Sequence, residues 1–93
     1  MEENKFEWDA AKDLSNSEKH KIDFDFARKV FTDNERIEWE DARIDYGEQR
    51  FIMVGKVLNS IITVVYTMRN HSIRIISARP SKRQERDLYN NQN

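Results

Sequence analysis

Apolar positions recur at helical spacing in the first third of the chain and at strand spacing in the rest. Trp8, Ala11, Leu14 and Ile22 fall on one narrow stripe, and Asp9 is an acceptable N-cap. The spacing predicts a first helix that starts near Asp9 and turns that stripe to the core. Lys12, Asn16 and Lys19 form a second, polar and cationic stripe beside it, with His20 at its margin. Asp23 can cap a short second helix in which Phe24, Ala27, Val30 and Phe31 share a face, and the Thr32-Asp33-Asn34 run is its stop.

From Glu35 onward the period changes. Ile37 and Trp39 alternate with charged residues, Phe51 to Val54 is continuous, and apolar runs follow at Ile61 to Met68 and Ile73 to Ala78. These predict four strands. The connections, Gly55 to Ser60 and Arg69 to Ser72, are too short for parallel crossovers, so an antiparallel meander is expected. Pro80 ends the last strand, and Ser81 with Gln84 three residues later reads as a capping box for a third helix anchored by Leu88 and Tyr89. The expected class is α+β, in the order of two N-terminal helices, a four-stranded antiparallel sheet and a C-terminal helix. All helices are expected on one sheet face, within a single domain spanning 1–93.

Composition narrows the function classes. With no cysteine, disulfides and thiolate metal sites are excluded, and His20 and His71 stand far apart without a ligand pattern, so no metal or other cofactor is expected. The amino terminus lacks an apolar h-region and the longest apolar run is interrupted by threonine, which points to a cytoplasmic protein with no membrane contact. The net charge of −1 conceals an asymmetry: residues 1–48 carry 15 acids and 8 bases, residues 49–93 only 2 acids and 8 bases. The second half reads as a basic module suited to phosphate.

No serine elbow, phosphate-cradling glycine loop or paired metal histidines occur, so chemistry has to be argued from placement. Arg50, Arg69 and Arg79 each stand at a strand end. In an antiparallel pair the first two meet at one end of the sheet, where their planar forks could share a phosphate. Arg79 lies about eight strand residues from Arg69, roughly 25 Å, and does not converge with them. RNA supplies its own nucleophile, the 2′-hydroxyl, so a protein need only orient the strand, neutralise charge and move protons. His20, with Lys19 beside it, is one candidate proton carrier and Glu48 the other. Each also has a plain structural reading: His20 as a helix C-cap, Glu48 and Arg50 as a surface ion pair, Arg79 as a closure of the sheet, and Trp8 and Trp39 as core.

These residues also carry a resemblance. Phe6-Glu7-Trp8-Asp9 with Lys12, then Asn16 and Lys19-His20, is similar to the opening of the BrnT family. Phe24, Ala27, Val30-Phe31, Asp33, Glu48-x-Arg50-Phe51, Gly55, Thr67-x-Arg69, Arg74 to Arg79, Glu85-Arg86 and Tyr89 continue it, over about residues 6–89. The resemblance implies a RelE-type toxin that cleaves RNA and halts translation. It also implies silencing by a co-encoded, BrnA-like antitoxin, with operator DNA reached only through that antitoxin. On this reading Arg50, Arg69, His20, Lys19 and Glu48 are candidates for catalysis, and Arg79, Arg74 and Lys12 for RNA contact. Lys21 stands where the family usually has glycine, and Pro80 follows the Ser-Ala-Arg run. Two other classes fit the same residues: a non-catalytic module that docks an acidic partner, and an inactivated toxin kept as a co-repressor.

Overall fold

The computed structural model describes residues 5–42 and 47–92. Chain order is β1 (Phe6–Glu7), α1 (Ala10–His20), α2 (Phe24–Ala27) continuing into a 3-10 turn (Arg28–Thr32), β2 (Ile37–Glu40), β3 (Arg50–Val57), β4 (Ser60–Arg69), β5 (Ser72–Pro80) and α3 (Arg83–Asn90). The class is α+β, and β2 to β5 form the expected antiparallel meander. The sheet nevertheless has five strands and is mixed, in the order β1-β5-β4-β3-β2, because Phe6–Glu7 adds parallel to Ile73–Arg74. Two residues are too few to show a period, so local pattern could not announce this strand. Long-range partners hold it: the Ile73 N–H donates to the Lys5 carbonyl at 2.8 Å, and the Phe6 ring meets Phe31 edge-on at 5.1 Å.

The turns are tight. Only Leu58 and Asn59 separate β3 from β4, with Leu58 at φ +55°, and Asn70 and His71 join β4 to β5 with φ of +52° and +68°. Two successive left-handed residues match the right-handed twist of the flanking strands, and asparagine tolerates that conformation.

One face of the sheet, through Met53, Val57, Ile62, Val64, Tyr66, Ile73, Ile75 and Ala78, packs against Phe24, Ala27 and Val30 to make the main core. Gly55 belongs to this face, and a Cβ there would stand 2.5 Å from Val30 Cγ2, so the glycine lets the 3-10 turn rest directly on β3. Asp33, just after that turn, accepts hydrogen bonds from the Lys56 N–H at 2.7 Å, the Glu35 N–H at 3.0 Å and the Tyr89 hydroxyl at 2.6 Å. Partial burial pushes its carboxyl up, but those three donors outweigh it and hold the group below the usual carboxylate range.

α3 lies on the opposite face, which corrects the expectation of a single helical layer. Ile37, Val54, Thr63 and Arg79 form one rung across β2 to β5, pointing away from the main core, and Glu85 of α3 bonds Thr63 and Arg79 from above. The reason is chemical: Leu88 is 58% exposed, and α3 is attached through Glu85 and the buried Tyr89. Its start is also displaced by one residue. The Ser81 hydroxyl is committed to Thr63 at 2.7 Å, so the N-cap is Lys82, whose N–H donates to Glu85 at 2.8 Å.

α1 starts as expected, with the Asp9 carboxylate accepting from the Ala11 and Lys12 N–H groups at 2.8 and 3.1 Å. Its buried face is not the expected one. Leu14 is 63% exposed, whereas Asn16 is buried at 8%. β1 covers only the beginning of the outer edge of β5, and Asn16 covers part of the rest. Its Nδ2 donates to the Ala78 carbonyl at 2.8 Å and the Ile22 carbonyl at 2.9 Å, and its Oδ1 accepts from the Ala78 N–H at 3.1 Å. The amide thus stands in for a neighbouring strand. Lys21 closes the helix at φ +62°, with its N–H bonded to the Ser17 carbonyl at 2.8 Å.

Asn16→Ala is expected to lower unfolding free energy by about 2 to 4 kcal/mol, since it orphans buried backbone groups. Leu14→Ala should change it by less than about 1 kcal/mol. Urea denaturation of both variants checks the inversion of the helix face. Lys21→Gly relieves a left-handed conformation and should raise stability by up to about 1 kcal/mol, read as a higher urea midpoint at unchanged slope.

Candidate functional site

The site follows from strand register. Arg50 of β3 pairs with Thr67 of β4, which pairs with Arg74 of β5, so the two arginines flank one threonine on the same face, about 10 Å apart. This is the face that carries α3, two rungs beyond the one α3 spans. Arg69, two residues along β4 from Thr67, shares the face. Glu48 joins the pair that sequence placed at this sheet end: its Oε2 accepts from Arg50 Nε and its Oε1 from Arg69 Nη2, both at 3.2 Å. Arg50 is 20% exposed and Arg69 49%, so the cluster is seated at one end and open at the other. Hydrogen bonding from Arg50, reinforced by Arg69, holds the Glu48 carboxyl below the usual carboxylate range.

Thr67 is a positioning residue that reading by residue type missed, although the Thr-x-Arg pattern was its signal. It is 2% exposed, and its hydroxyl donates to the Gln49 carbonyl at 2.5 Å, tying β4 to the backbone between Glu48 and Arg50. His71 stands in the turn directly after Arg69. Glu7, from β1, receives Arg74 Nη1 at 2.9 Å, a pairing 67 residues apart that no local pattern could disclose.

The remaining candidates lie elsewhere. Arg79 stands on the Thr63 rung, four residues along β4 from Thr67 or roughly 13 Å. Its two Nη atoms grip the two Glu85 oxygens at 2.8 Å each. Lys12, Lys19 and His20 line a groove of about 370 Å3 between α1 and β5, and neither Arg50 nor Arg69 lines it. Tyr66 Pairs Ile75 and Val65 pairs Ser77, which leaves Ile76 as a bulge at the floor of that groove. Trp39, expected in the core, is 38% exposed on the α3 face of the edge strand β2. Trp8 is half-buried, edge-on to Phe24 at 6.1 Å. Among the described residues no group of three or more His, Asp or Glu is placed to hold a metal, and no described helix is long and apolar enough to cross a membrane.

Burial pushes the Glu85 carboxyl up, but Arg79, the Lys82 N–H and the Thr63 hydroxyl together bring it down to about 2. A depressed carboxyl contributes stability that is complete above its unfolded value and is lost as pH falls through the folded one. Stability on the order of 2 kcal/mol should therefore disappear between about pH 5 and pH 2. Urea midpoints across that range check this, and Glu85→Gln should flatten the acid limb.

A family profile described as "Ribonuclease toxin, BrnT, of type II toxin-antitoxin system" matches residues 8–85. No curated protein matches the chain at a significant level.

Proposed function

The chain belongs to the BrnT family of ribonuclease toxins of type II toxin–antitoxin systems, and on that premise we propose that it is an endoribonuclease whose phosphate site is the cluster of Arg50, Arg69 and Glu48. The observation that carries this reading is the Glu48 carboxylate held 3.2 Å from both guanidiniums. A scissile phosphate entering there meets two permanently charged forks, which match its non-bridging oxygens and the extra charge that develops in the transition state.

In the proposed reaction Glu48 accepts the proton of the RNA 2′-hydroxyl as that oxygen attacks the adjacent phosphorus. Arg50 and Arg69 neutralise the phosphorane-like state. The 5′-oxygen leaves and takes a proton from water at the open Arg69 end. The products are a 2′,3′-cyclic phosphate and a 5′-hydroxyl, and no metal enters this route. A carboxylate held below its usual range is a weaker base, and its contact with both arginines compensates by placement. Glu48 is preferred over His20 as base because it touches the phosphate-binding groups, whereas His20 lines a different groove. Arg74, on the same rung as Arg50, extends the cluster toward the next phosphate.

The wider reading follows the family: a single domain over 1–93, acting in the cytoplasm, stopping translation by RNA cleavage. A co-encoded antitoxin neutralises it by covering the arginine cluster and carries it to operator DNA. Arg79 holds α3 in place and is not an RNA contact in this scheme, because both ends of its fork are engaged by Glu85.

Arg50→Ala and Arg69→Ala should each lower RNA cleavage by the purified protein by about 100-fold or more, with lysine restoring little because it lacks the fork. Glu48→Gln should cost about 100- to 10,000-fold. Growth arrest and RNA integrity after induction, with circular dichroism as the folding check, give the cellular counterpart. A wild-type protein that neither arrests growth nor cleaves RNA would make this chain a binding module.

A further inference from the structure

The strand arginines and the lysines of the groove between α1 and β5 differ in their pairing. Arg50, Arg69, Arg74 and Arg79 are each held in an ion pair with Glu48, Glu48, Glu7 and Glu85. Lys12, Lys19 and His20 are in no ion pair among the described residues, yet all three line one groove between α1 and β5. No acid lines that groove. Two hydroxyls, Ser15 and Ser77, stand at its wall and on the bulged strand, and its volume is about 370 Å3. Lys12 and Lys19 are seven residues apart, two helical turns or about 10.5 Å on one side of α1, a span longer than one phosphate group.

We propose that the Lys12–Lys19–His20 groove is a second subsite, separate from the arginine cluster, that binds the phosphate backbone of single-stranded RNA outside the cleavage point. The proposal rests on the nuclease reading only for its choice of nucleic acid. Lysines outside an ion pair release counterions when they meet phosphates, whereas a paired arginine must first part from its carboxylate. Its lining sets Lys12, Lys19, the His20 imidazole, Asn16 and two hydroxyls around Ala11 and Ile76, a set of donors that suits phosphate and sugar.

The probe is a fluorescent 2′-O-methyl oligoribonucleotide of about ten nucleotides, which the toxin cannot cleave because its 2′-oxygen carries no proton to lose. Anisotropy titrations over a range of salt concentrations compare wild type with Lys12→Gln/Lys19→Gln, two exposed positions whose change leaves the fold intact by circular dichroism. The double variant should bind about tenfold or more weakly at low salt, and its log–log salt slope should be shallower by about 1 to 1.5. An unchanged slope overturns the subsite, even if affinity falls. So does a loss of affinity for the co-encoded antitoxin with RNA binding intact, which would make the groove a protein-docking site. Cleavage of the matching unmodified RNA is scored separately. A wild type that cleaves nothing while the slope still flattens keeps the subsite and removes the nuclease reading.

Discussion

The side-chain amide of Asn16 is where the helical layer and the sheet become one body. β5 is paired on its outer side only where β1 reaches it, at Ile73 and Arg74, and beyond that point its backbone would face solvent as an open ladder. Asn16 closes part of that ladder by matching both polar groups of Ala78, and the same Nδ2 reaches the Ile22 carbonyl. One residue therefore fixes α1 against β5, sets the turn into α2, and positions the chain that delivers Phe24 to the core. Asp13 supports the arrangement by accepting the Phe24 N–H at 2.9 Å. An apolar residue at position 16 could fill the space but could not read the strand edge.

The register of the sheet follows from its two-residue turns and its alternating apolar face, and from the register the site. Side chains alternate across a strand, so a one-residue slip between β3 and β4 would send Arg50 into the main core and bring Phe51 out. The Thr67 hydroxyl opposes such a slip, since it reaches the Gln49 carbonyl only in the observed pairing. Three strands thereby place Arg50, Arg69 and Arg74 on one face, although Arg50 stands 19 residues before Arg69 in the chain.

What was legible in the sequence was whatever depends on local period: the α2 core face of Phe24, Ala27 and Val30, the strands β2 to β5, the Asp9 and Asp23 caps, and the meeting of Arg50 with Arg69 at one sheet end. Features that depend on a partner far away were not. Leu14 fits the apolar stripe of α1, but the surface it would meet is the polar edge of β5, so Asn16 takes the inward position. Ser81 has the right spacing for a cap, but Thr63 claims its hydroxyl from another strand. Trp39 has the composition of core, yet β2 is the last strand of the sheet and only part of its α3 face is covered. In each case a rule of local propensity met a stronger tertiary demand.

Charge shows the same effect at the scale of the whole chain. By halves, the sequence divides into an acidic first part and a basic second part. Folding crosses that division: Glu7 and Glu48 come from the first half and neutralise Arg74, Arg50 and Arg69 in the second, while Glu85 neutralises Arg79 within it. The cations left uncommitted at the α1 groove come from the acidic half. An acidic counter-ion seated in an arginine cluster lowers the cost of gathering like charges in the apo protein, because the repulsion between guanidiniums is offset before any substrate arrives. On the proposed function it also makes affinity there a competition between carboxylate and phosphate, which favours a ligand that is doubly attached over one that visits a single site. On that reading the chain holds a strongly anionic polymer selectively while its net charge remains close to zero.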